Sequence, residues 1–70
     1  MKGRVQSVIF EKRKFPVVKC QRWLREHGLT DNGYDETAGF YRFRQVEPDF
    51  DLYRTVTLAP GIKAVVGIRR

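Results

Sequence analysis

Seventy residues carry 14 Lys and Arg against 8 Asp and Glu, a formal charge of +6, with one cysteine and one histidine. A chain this short buries only about 60% of its unfolded surface, which leaves little room for a deep enzymatic cleft and favours a binding module built as a single domain over 1–70. Cys20 alone cannot close an internal disulfide, Cys20 with His27 makes no zinc site unless carboxylates or a second chain contribute, and no apolar run approaches the roughly 18 residues that span a bilayer.

Residues 4–10, Arg-Val-Gln-Ser-Val-Ile-Phe, are rich in β-branched and aromatic types and predict a first strand, with Val8-Ile9-Phe10 leaving its inward face open. After the basic run Lys12-Arg13-Lys14, Pro16 stands at a first helical position and Gly28 at a left-handed stop, so 16–27 is predicted as the single helix. Val17, Cys20, Leu24 and His27 recur at spacings of three or four and predict its buried stripe, with Trp23 beside it. Lys19, Arg22, Arg25 and Glu26 then face water, where Arg22 and Glu26 can pair across one turn. The polar stretch 30–37, with Asn32-Gly33 at its centre, reads as a turn or long connection without a regular element.

Residues 38–46, Ala-Gly-Phe-Tyr-Arg-Phe-Arg-Gln-Val, alternate rings with arginines. A strand over 40–46 puts Tyr41 and Phe43 on one face and Phe40, Arg42 and Arg44 on the other. Burying unpaired guanidinium groups costs far more than burying rings, so the Tyr41 and Phe43 face is the inner one. Glu47-Pro48-Asp49 breaks the strand, and 52–58 resumes with Val56 and Leu58 inward and Tyr53, Thr55 and Thr57 outward. Ala59-Pro60-Gly61-Ile62 has Pro and Gly in the central positions of a type II turn, which predicts a tight antiparallel hairpin. In the last strand Ile62, Ala64, Val66 and Ile68 share one parity, and Lys63, Val65, Gly67 and Arg69 the other.

The order β-α-β-β-β predicts an α+β fold, a mostly antiparallel four-stranded sheet with one helix packed on one face. The second face has nothing in the chain to cover it. It displays the rings of Phe40 and Tyr53 among Arg42, Arg44, Lys63 and Arg69, an arrangement by which open sheets hold single-stranded nucleic acid. Any small α+β domain also needs one polar face to stay in solution, so a solvated or protein-contacting face is the competing reading. Gly39-Phe40-Tyr41-Arg42-Phe43 resembles the aromatic strand of an RNA-recognition motif, with Tyr41 where that signature takes Gly or Ala, Arg42 where it takes an aromatic residue, and no second helix.

Lys12-Arg13-Lys14, just ahead of the helix, is a second candidate surface, since free N–H groups and the helix dipole favour an anion there; solvated loop charges are the alternative. Arg69-Arg70 is a basic tail of the same double meaning. His27, one residue before the capping glycine, is expected to serve the helix C-terminus, and Cys20 to act as a small apolar filler. Asp31-Asn32-Gly33 lacks the length and terminal Glu of an EF-hand loop. With no phosphate-cradling glycine loop, no nucleophile elbow and one histidine, no catalytic or metal-binding residue can be assigned, and a non-enzymatic protein without cofactor is expected.

Ser7-Val8-Ile9-Phe10, Trp23-Leu24 with His27-Gly28, Asp35-Glu36-Thr37 followed by Tyr41-Arg42-Phe43-Arg44-Gln45, then Arg54-Thr55 and Gly61-Ile62-Lys63-Ala64-Val65-Val66-Gly67 resemble a short phage-associated domain of uncharacterised activity. The resemblance covers nearly the whole chain, though relatives open the helix with a hydroxyl residue where this chain has Phe15-Pro16. Similar pieces occur alone or within phage head-morphogenesis and prohead-protease-like proteins, so the resemblance implies a viral setting and brings no protease residues. Two functions from different classes follow as expectations. One is a nucleic-acid-binding module using the open face, with single strands favoured. The other is an interaction or assembly module that docks on a larger viral or host protein or on a second copy of itself. The expected location is the host-cell cytoplasm or the virion, without a membrane partner.

Overall fold

The structure, a computed structural model, describes residues 2–69. Strand β1 (Lys2–Glu11) leads to helix α1 (Val17–Glu26), followed by β2 (Asp35–Glu36), β3 (Phe40–Arg44), β4 (Leu52–Ala59) and β5 (Ile62–Arg69). The strands form one sheet in the order β2-β3-β1-β5-β4, and every neighbouring pair is antiparallel. The α+β class stands, but the sheet has five strands where the sequence predicted four. The extra one is the pair Asp35–Glu36, folded back onto Arg42 and Tyr41. A tight loop makes this return: the Thr37 N–H donates to the Phe40 carbonyl at 2.9 Å, and the Phe40 N–H to Thr37 Oγ1 at 3.2 Å. Two acidic residues carry no strand propensity of their own, so the element exists only through its partner.

Pro16 stands immediately before the helix at φ −59° and ψ 154°, and its carbonyl receives the N–H groups of Lys19 and Cys20. At the other end Gly28, at φ +70°, donates to Arg25 O while Leu29 donates to Leu24 O at 2.8 Å. Those two bonds are a Schellman closure, which needs the left-handed conformation that glycine adopts without strain. His27 serves the C-terminus as expected: Nδ1 lies 2.7 Å from the Trp23 carbonyl, and the ring stacks on Trp23 at 3.9 Å. It does so from solvent, however, and is not part of the buried stripe, which consists of Cys20 and Leu24. Arg22 and Glu26 do not pair.

The core lies between the helix and the middle of the sheet. Val8 and Phe10 of β1, Phe43 of β3 and Ile62 of β5 meet Cys20 and Leu24. Phe10, fully buried, meets Phe15, Trp23 and Phe43 edge-on, each at 5.7 Å between centroids. That settles the parity of β1, with Val8 and Phe10 inward and Ile9 outward, and it agrees with the inward Phe43 and outward Arg42 and Arg44 of β3. The β4–β5 turn has Gly61 at φ +83°, as a type II turn requires.

Two expectations about the sheet's flanks fail. Val56 lies opposite core residue Ala64 and so faces the helix side, yet it is 38% exposed; Leu58, in a bulge between Thr57 and Ala59, is 45% exposed. One helix about 10 Å across covers roughly two strand spacings, whereas five strands span about 19 Å, so β4 lies beyond its shelter. Nor is the opposite face wholly uncovered. The connection from β3 to β4 lays Phe50 over Gly67, where a Cβ would meet the ring at 2.2 Å. Gly67→Ala should therefore expel Phe50 and cost roughly 1–3 kcal/mol by overpacking. Thermal melts should show the Gly67→Ala and Phe50→Ala losses to be strongly non-additive in the double variant, and simple additivity would disprove the contact.

Candidate nucleic-acid interface

Directly opposed residues of paired strands point the same way, so the face away from the helix is ordered into rungs. One rung runs Asp35, Arg42, Ile9, Lys63 and Thr57 across all five strands. Toward the β4–β5 turn the next places Phe40 beside Glu11. In the other direction come Arg44, Ser7, Val65 and Thr55, and beyond them Tyr53 opposite Gly67 with Phe50 above it. Arg42 and Lys63 thus flank Ile9 two strand spacings apart, about 10 Å between their backbones. Ile9, Thr37, Phe40, Arg42 and Lys63 line a shallow depression of about 310 Å³.

Arg42 is anchored. Its Nε donates to Ser7 Oγ at 3.2 Å and its Nη2 to Gln6 Oε1 at 3.0 Å, while Gln6 Nε2 donates to the Val46 carbonyl at 2.9 Å. Gln6 and Ser7 are buried at a register shift between Val5 and Ser7, and Arg42 supplies their partners. Both acceptors are neutral and three of the five N–H donors remain for a ligand, while Asp35 stands opposite Arg42 on the same rung without forming an ion pair. Lys63 has no ion-pair partner among the described residues, and the Phe40 ring is 42% exposed.

The other cations predicted as contacts are engaged within the chain or lie elsewhere. Arg44 pairs with Glu47 at 3.6 Å, and Arg69 with Asp49 at 3.1 Å while also lying over Phe50. Arg69, Phe50 and the exposed Tyr53 therefore form a second group at the far end of the same face. Lys12 pairs with Glu36 at 2.6 Å and lies over the Tyr41 ring, which draws it toward the helix side and away from Arg42. Lys14 pairs with Glu11 at 3.4 Å, and Arg13 has no ion pair among the described residues. The Lys14 and Phe15 N–H groups both donate to the Glu11 carbonyl, so this loop offers an anion its side chains and not those two backbone donors. Exposed ion pairs contribute only about 0–1 kcal/mol each, so a phosphate can replace any of these carboxylates at small cost. Arg70 of the basic tail lies outside the described residues.

Sequence reasoning missed Ile9, Thr37, Gln6, Ser7 and Phe50. Gly67 inside a strand was the available signal for Phe50, because a mid-strand glycine marks close approach of another group. Nothing in the sequence announces the bulge that brings Gln6 and Ser7 under Arg42.

Among the described residues no group of three or more His, Cys, Asp or Glu side chains gathers as a metal site, and no helix is long and apolar enough to cross a membrane. Burial pushes the Cys20 thiol up to about 11 from its ordinary 9.0, against a smaller lowering by its backbone hydrogen bond. No family model matches the chain, and neither does any curated protein or solved structure.

Two measurements check this geometry. Arg42→Ala strands the buried Gln6 and Ser7 oxygens and should lower stability in denaturant by roughly 1–3 kcal/mol, whereas Arg44→Ala should change it by less than about 0.5. Because the folded Cys20 pKa is raised, its contribution to stability is complete below pH 9.0 and fades as the pH climbs toward about 11. A Cys20→Ser variant should lack that part of the alkaline decline in melting temperature, and native Cys20 should alkylate far more slowly at pH 8 than in denaturant.

Proposed function

We propose that this protein is a small non-enzymatic module that binds single-stranded nucleic acid on the face opposite its helix. The observation that carries the reading is the rung on which Arg42 and Lys63 flank Ile9 beside the exposed Phe40 ring, with neither cation in an ion pair among the described residues, although Asp35 stands opposite Arg42. A base can stack on Phe40 while the strand's phosphates meet Arg42 and Lys63, and the net +6 charge draws a polyanion toward them. Arg44, Tyr53 and Arg69 extend the track along the face, and Lys12, Arg13 and Lys14 lie outside its centre. The sequence resemblance supports a phage or viral setting, with the protein acting inside the host cell or in the virion. A second reading, an assembly module that docks on a viral or host protein, draws support from exposed Val56 on the other side of the sheet and from exposed Leu58 in the bulge next to it.

Fluorescence titration with single-stranded and double-stranded DNA and RNA at several salt concentrations tests the first reading. Neutralising three to five phosphates gives a log–log slope of affinity against salt of about −2 to −3.5 on single strands. Lys63→Ala and Phe40→Ala remove exposed groups and leave the fold intact, and each should weaken the complex, Phe40→Ala by about 1–3 kcal/mol. Parent-like affinity in both variants would refute the face as the binding surface.

A further inference from the structure

The two edges of the sheet differ. On one side β2 is two residues long and carries two carboxylates, Asp35 and Glu36, the kind of short charged edge that discourages pairing with another chain. On the other side β4 runs eight residues, Leu-Tyr-Arg-Thr-Val-Thr-Leu-Ala, with Arg54 its only charge and no proline. Its sole structural guard is the bulge near Leu58. Six residues from Leu52 to Thr57 precede it, a regular edge about 20 Å long whose outward N–H and C=O groups meet no strand.

From this edge we infer that the protein forms a symmetric dimer by antiparallel pairing of β4 with β4 of a second copy. The two-fold axis stands perpendicular to the sheet, so each residue i meets residue j of the partner and the reverse, with helices on one side and open faces on the other. Registers that keep side-chain direction centre on Arg54, Thr55 or Val56. The first opposes two guanidinium groups and is disfavoured. Centring on Thr55 pairs Thr55 with its own copy and Arg54 with Val56; centring on Val56 pairs Val56 with itself and Thr55 with Thr57. Both cover the apolar helix-side surface that α1 leaves exposed at Val56.

Charge favours a second copy as the occupant. The molecule carries +6, but Arg54 is the only charge on β4 itself; Lys63 and Arg69 stand on β5 behind it, and Arg42, Arg44 and the Lys12–Lys14 run lie on or beyond strands farther in. Two copies therefore meet where like-charge repulsion is least, and added salt screens what remains. Self-association should strengthen with salt while nucleic-acid binding weakens. The dimer joins two open faces into one ten-stranded platform, but its formation does not depend on that face binding anything.

Sedimentation equilibrium of the full chain from about 10 µM to 1 mM, at low and at half-molar salt, tests the dimer. The expected result is a monomer–dimer equilibrium that tightens several-fold at high salt. Val56→Lys places an exposed charge on the pairing strand and should weaken dimerisation at least tenfold, with the circular dichroism of the parent. Thr55→Cys should oxidise to a covalent dimer in the Thr55-centred register and Val56→Cys in the Val56-centred one, where the parent, whose Cys20 is buried, does not. A monomeric mass throughout, or dimerisation unchanged by Val56→Lys in a folded chain, would overturn the proposal and leave the edge to a strand of another protein.

Discussion

The Phe10 ring fixes the rest of the molecule. It sits on the central strand of the sheet, fully buried, and is the one ring that Phe15, Trp23 and Phe43 all meet. With Phe10 turned toward the helix, side-chain alternation leaves Ile9 no choice but the opposite face. Pairing of β1 with β3 and β5 then places Arg42 and Lys63 on either side of Ile9. A packing contact in the core thereby sets the spacing of two cations on the outer surface. A slip of one residue in β1 would exchange the two faces at once.

Much of this was legible in the sequence because single residues carried strong physical preferences. Alternation of rings and arginines in 40–44 gave the parity of β3, and Pro60-Gly61 gave the turn. Gly28 gave the helix end. What stayed hidden depended on contacts distant in sequence. Asp35 and Glu36 become a strand only because Thr37 and Phe40 close a loop against β3, and Phe50 covers Gly67 across 16 intervening positions. Val56 looked like core by alternation, and its exposure follows from how little of a five-stranded sheet one helix can cover. For the site, Phe40, Arg42 and Lys63 were readable from parity, while the support beneath Arg42 was not, since it rests on a bulge.

Arg42 illustrates how a small domain reconciles stability with an exposed charge. Gln6 and Ser7 need partners because they are buried, and a guanidinium has more donors than both require. The same side chain satisfies the interior and faces solvent. Its orientation is thus preset, which lowers the conformational entropy lost when a ligand engages it. Lys63, free of such ties, contributes charge without fixed direction.

The pairing of β1 with β5 brings Lys2 opposite Arg69, so the two ends of the described fold are neighbours in the sheet. A ribosome making this chain releases the central strand β1 before β2, β3, β4 and its longest partner β5. Until β5 is made, β1 lacks its longest partner and Phe10 lacks Ile62. Closure of such a distant pair carries a high loop entropy and slows folding. The nascent chain must therefore pass through a stage in which an apolar, half-paired strand waits for β5.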